Sequence, residues 1–83
     1  MPIRVRIRYW SWFKDLTHTP ESECTLPDGA TVADVLHRVH QEHPRLAEAR
    51  KSTLVAVGVE YQPPDHILHE GDEVSLFPPV QGG

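Results

Sequence analysis

Ile3, Val5, Ile7 and Tyr9 alternate with Arg4, Arg6 and Arg8 at the start of the chain. That period of two predicts a strand with one buried and one wet face. The arginine stems can cover apolar surface while their heads stay in water or meet a partner. Trp10, Trp12, Phe13 and Leu16 follow, and the Phe13/Leu16 spacing predicts a short helical turn. Most of this cluster is expected in the core, with one tryptophan left as an interface anchor. After Thr19-Pro20, Ser22, Cys24 and Leu26 alternate with Glu21, Glu23 and Thr25 up to Pro27-Asp28-Gly29, predicting the second strand of a hairpin.

Val32, Val35, Leu36 and Val39 then recur at helical spacing. Thr31 is placed to cap that helix, with Asp34 near its positive end. The predicted main helix covers residues 32 to 43 and ends before Pro44, which disfavours helical geometry in the residue preceding it. Another turn is expected around Leu46 and Ala49. Leu54 through Tyr61 is valine-rich and reads as one strand, bent at Gly58. Ile67 and Leu68 read as a short buried segment, and Val74, Leu76 and Phe77 as the last strand. The order β-β-α-β-β predicts an α+β roll in which a sheet wraps one helix and the first and last strands lie side by side. A right-handed crossover through the helix favours parallel packing of the strands it joins.

The chain has 83 residues, one cysteine and a formal net charge of −4. Its length fits one small domain. An enclosed active site with its own acid, base and substrate pocket is hard to build at that size, so a binding or carrier role is favoured. The acidic balance argues against broad binding to nucleic acid or anionic membrane. With only Cys24 there is no internal disulfide, and the start lacks the apolar run of a signal peptide, so a soluble, cytoplasmic protein is expected.

Metal chemistry is suggested by His37, His40 and His43 at intervals of three and by the pair His66 and His69. No H-E-x-x-H, paired cysteines or acidic ligand set completes a zinc site, so packed or solvated histidines are expected and no metal site is assigned. Cys24 shares the Leu26 face and is expected to be a buried, inert thiol. No nucleophile motif surrounds it or Ser11, Ser52 and Ser75, and the scattered glycines form no phosphate loop.

The chemistry therefore falls on the end of the chain, Phe77-Pro78-Pro79-Val80-Gln81-Gly82-Gly83. The prolines remove two amide donors and end the ladder. Two glycines without a Cβ let a backbone thread a narrow channel into another protein's active site. The same ending is compatible with a frayed terminus.

The segment from Gly71 to Gly83 closely resembles the G-D-E-V-x-x-F-P-P-V-x-G-G ending of the molybdopterin synthase sulfur-carrier (small) subunits, within the ubiquitin-like sulfur-carrier superfamily. Tyr9 to Thr17 resembles that family's aromatic stretch, and Thr31 to Leu36 its helix start. Gly58 stands where the family often has asparagine, and His18 where glycine often ends the early turn. The resemblance implies a ubiquitin-like β-grasp roll with a mixed sheet of four to five strands, a domain at 1–78 and a flexible tail at 79–83. It further implies that Gly83 is adenylated by a ubiquitin-activating-like adenylyltransferase using ATP, then thiocarboxylated from a sulfur donor enzyme. Gly82, Gln81, Val80 and Pro79 would form the part that enters the large synthase subunit, where sulfur passes to a pterin precursor in molybdenum cofactor synthesis. Phe77 and Trp12 are the expected partner-binding side chains. On this reading the chain has no intrinsic cofactor, contacts neither nucleic acid nor membrane, and does not catalyse alone. The alternatives are carriage of sulfur for thiazole, cysteine or tRNA thiolation, or protein modification through the same glycine.

Overall fold

A computed structural model describes residues 1–49 and 51–78. The elements in chain order are β1 (Ile3–Tyr9), α1 (Phe13–Thr17), β2 (Glu21–Leu26), α2 (Val32–Glu42), α3 (Pro44–Ala47), β3 (Leu54–Val57), β4 (Glu60–Tyr61) and β5 (Glu73–Phe77). One five-stranded sheet has the order β2-β1-β5-β3-β4. The first and last strands pair in parallel, Ile7 opposite Val74 and Tyr9 opposite Leu76, and the other pairings are antiparallel. The expected roll is present, with the first and last strands side by side.

Strand β1 sends Ile3, Val5, Ile7 and Tyr9 into the core and keeps its arginines on the opposite face. Against that inner face α2 lays Val32, Val35 and Val39, all fully buried. The start of α2 is fixed by its first turn, where the Thr31 backbone N–H donates to the Asp34 carboxylate at 2.8 Å. This satisfies a donor at the helix entry and sets a negative charge near the positive helix end. The far end behaves as the proline dictates: His43, just before Pro44, leaves helical geometry at φ −133° and ψ 78°. Pro44 then opens α3, which buries Leu46.

Three expectations need correction. Of the aromatic cluster expected mostly in the core, only Phe13 is fully buried, and Trp10 and Trp12 are each 39% exposed. Leu54 to Tyr61 is a hairpin of β3 and β4, with Gly58 at φ +65° in its turn and Val59 97% exposed at the tip. Glycine reaches that left-handed conformation at little steric cost, so the chain reverses where a bend was expected. The segment around Ile67 is only half buried: Leu68 enters the core, whereas Ile67 is exposed and forms a single bridge to Thr31.

His18 closes α1 in the left-handed region, at φ +63°. A Cβ is unfavourable there and glycine is not. His18→Gly is therefore expected to stabilise the fold by about 0.5–1 kcal/mol, measurable as a higher urea midpoint with an unchanged slope.

Candidate functional site: the outer sheet face at the end of β5

The period of two that buries Val74 and Leu76 turns Glu73, Ser75 and Phe77 to the outer face of the sheet. On β1 the same parity runs through Arg4, Arg6 and Arg8 to Trp10, whose backbone N–H donates to the Leu76 carbonyl at 3.1 Å. Trp10 therefore arrives beside Phe77, and the two rings stack with centroids 5.5 Å apart and planes inclined by 17°. Tyr61 meets Phe77 edge-on at 6.2 Å, and Leu54 stands opposite Phe77 in the β3–β5 register. Arg8 places its guanidinium carbon 4.7 Å from the Trp10 ring centroid while its Nη1 holds the Glu73 carboxylate at 3.3 Å.

Phe77 is thus the centre of a partly exposed aromatic platform at the last strand's end. Each aromatic pair is worth about 0.5–1.5 kcal/mol beyond burial, and the cation over Trp10 about 0.5–1 kcal/mol. Trp10 nevertheless remains 39% exposed, with Tyr61 and Leu54 more open still or equally so. Exposed Trp, Tyr and Arg around an apolar centre are the side chains that anchor protein interfaces. The platform can bind a partner's apolar surface beside the place where the chain leaves the sheet.

Of the two expected partner-binding residues, Phe77 lies at the platform's centre. Trp12 is 39% exposed but packs edge-on against Phe13 at 4.9 Å. The expected site residues Pro79, Val80, Gln81, Gly82 and Gly83 lie outside the described residues, as does the tail boundary drawn there. Sequence reasoning did not assign Trp10 and Tyr61 to the site. Trp10 was within reach, because position 10 continues the parity of 4, 6 and 8. Tyr61 was hidden by reading residues 54–61 as one strand, which sets Leu54 and Tyr61 on opposite faces; the Gly58 turn returns both to the outer face.

The inner face carries different chemistry. The Cys24 thiol is buried on the Leu26 face, and burial pushes its pKa up, which disfavours the reactive thiolate. Burial likewise pushes up the pKa of Tyr9, whose hydroxyl pairs with Ser22 Oγ at 3.1 Å and whose ring meets His43 edge-on. Among the described residues, no group of three or more His, Cys, Asp and Glu side chains is arranged to hold a metal ion. No described helix is long and apolar enough to cross a membrane.

A mixed five-stranded sheet wrapped on one main helix, with parallel outermost-in-sequence strands at its centre, defines a ubiquitin-like β-grasp protein. The ThiS family model matches residues 7–83. A curated relative, the molybdopterin synthase sulfur carrier subunit of Chlamydomonas reinhardtii, is 30% identical over 83 residues, covering 98% of this chain and 100% of the relative. Among solved structures, a putative molybdopterin converting factor subunit 1 from Pyrococcus furiosus superposes with a TM-score of 0.86 at 30% identity, covering 94% of this chain and 99% of that one. SAMP1 from Haloferax volcanii, a small archaeal modifier protein, gives 0.84 at 25% identity, over 96% and 99% of the two chains. The chain belongs to the ThiS family and, within it, to the molybdopterin synthase sulfur-carrier subunits.

Proposed function

We propose that this chain carries sulfur as a thiocarboxylate on Gly83 and delivers it to a pterin precursor held by a large synthase subunit in molybdenum cofactor synthesis. The observation that carries the reading is the full-length match to a molybdopterin synthase sulfur carrier subunit, joined to the Gly82-Gly83 end. A carboxylate is a poor acyl donor until one oxygen becomes a leaving group. In an adenylyltransferase related to ubiquitin activators, the Gly83 carboxylate attacks the α-phosphorus of ATP and expels pyrophosphate. A hydrosulfide equivalent from a sulfur donor then attacks the acyl carbon, AMP departs with the C–O electrons, and the thiocarboxylate remains. The exposed platform of Trp10, Phe77, Tyr61 and Leu54 supplies recognition next to the tail. The cytoplasm, where the lone Cys24 stays reduced, is the compartment that suits this chemistry.

Trp10→Ala is expected to weaken binding of the large subunit by about 2 kcal/mol, close to 30-fold in Kd. Titration calorimetry reads this directly, and unchanged affinity would remove the platform from the interface. The likeness to SAMP1 favours a second reading, in which a lysine amine attacks the same adenylate and forms an isopeptide bond. Incubating the chain with ATP, its activating enzyme and cell lysate separates the two. A thiocarboxylate without conjugates supports the carrier; high-mass species that survive thiol reductant support the modifier.

A further inference from the structure

Strand β2 lies at one edge of the sheet, two strands and so about 10 Å from β5. The direction of its main-chain groups follows from β1. Tyr9 N–H donates to the Pro20 carbonyl at 2.9 Å, whereas the N–H groups of Arg6 and Trp10 donate toward the β5 side. Odd-numbered β1 residues therefore bond β2 and even-numbered ones bond β5. By the alternation of an antiparallel ladder, Ser22, Cys24 and Leu26 use their main chain on β1, while Glu21, Glu23 and Thr25 direct theirs to the open edge. The Glu21 carbonyl accepts from the Thr19 hydroxyl at 2.8 Å. Among the described residues, no strand takes the main-chain groups of Glu23 and Thr25.

We propose that this edge receives an extended, basic segment of another protein, which adds to the sheet as a sixth strand antiparallel to β2. Main-chain hydrogen bonds would supply affinity and alternate side chains the specificity. The charge of the occupant is set by the exposed Glu21 and Glu23 on the outer face, because opposite charges directly across a strand pair stabilise it. On its other edge β2 already pairs in this way: Arg8 stands opposite Glu21 and Arg6 opposite Glu23. Residues of the added strand that point to the helix side would meet a groove where Leu26 and Ala30 stand beside Asp28, Asp34, His37 and Arg38, offering both apolar and polar contacts. A second copy of this chain is disfavoured, since antiparallel β2 strands would bring glutamates against one another. Glu21 is linked to the platform through Arg8, whose Nε lies 4.0 Å from its carboxylate, whereas Glu23 and Thr25 lie on the strand two places from β5.

The probe is a synthetic peptide with the β1 sequence Ile-Arg-Val-Arg-Ile-Arg-Tyr, compared with a version carrying glutamate for each arginine. Amide hydrogen exchange by NMR is the readout. At ten times its Kd the arginine peptide is expected to slow exchange of the Glu23 and Thr25 N–H groups about 10-fold, and the glutamate peptide to leave them unchanged. In the variant carrying Glu21→Lys and Glu23→Lys the preference should reverse. Equal protection by both peptides, protection confined to residues around Trp10 and Phe77, or none at all would overturn the proposal.

Discussion

A chain cut back to Gln81 is expected to lose activation and sulfur transfer altogether while unfolding at the same denaturant concentration as the full-length protein. The buried hydrophobic side chains found among the described residues run from Ile3 to Leu76, and the truncation removes none of them. Surface and terminal changes outside such a core usually move stability by no more than about 0.5 kcal/mol. The chemistry, by contrast, has no substitute for the terminal glycine, because every proposed bond is made at its carboxyl carbon or oxygen. Single-turnover assays with the activating enzyme test the loss, and urea unfolding tests the separation. Gly82→Val should keep the carboxylate yet slow the reaction, because a branched side chain then accompanies the backbone into the partner's channel. If the truncated chain is still activated, the acceptor lies elsewhere.

The second large effect is on the body. Phe13→Ala is expected to cost about 3–5 kcal/mol. At ~0.05–0.15 kcal/mol per residue, a domain of this size holds about 4–12 kcal/mol in total, so the substitution removes a large share of that margin. Phe13 is 1% exposed and belongs to the core under the sheet. Its neighbour Trp12 is 39% exposed and on truncation loses an edge-on ring contact worth about 0.5–1.5 kcal/mol together with part of its burial. Urea titrations of Phe13→Ala and Trp12→Ala should therefore differ clearly in midpoint. A larger loss from Trp12→Ala would contradict the packing of α1.

Local signals in the chain were read correctly where one physical rule dominates. The alternation of β1, the Thr31–Asp34 start of α2 and its end before Pro44 depend on neighbours within a few positions, and each stands where expected. The burial of Cys24 follows from parity in the same way. One error arose where a left-handed residue reverses the chain. Gly58 looked like a bend in one strand and is the turn of a hairpin, and that difference moves Tyr61 onto the platform. The Trp10–Phe77 stack joins residues far apart in sequence through the parallel β1–β5 pairing. Parity shows which face Trp10 takes, but only the register shows its neighbour. The β2 edge was equally hidden, because strand order is a property of the whole sheet.

Intact-mass spectrometry of the chain, after incubation with ATP, its activating enzyme and a sulfur donor, shows whether Gly83 takes up sulfur. The expected gain equals the replacement of one oxygen by sulfur, located at Gly83 by fragmentation and absent from the chain that ends at Gln81. An unchanged mass with cognate partners that are active on their own carrier, or sulfur found on Cys24 instead of Gly83, would contradict it.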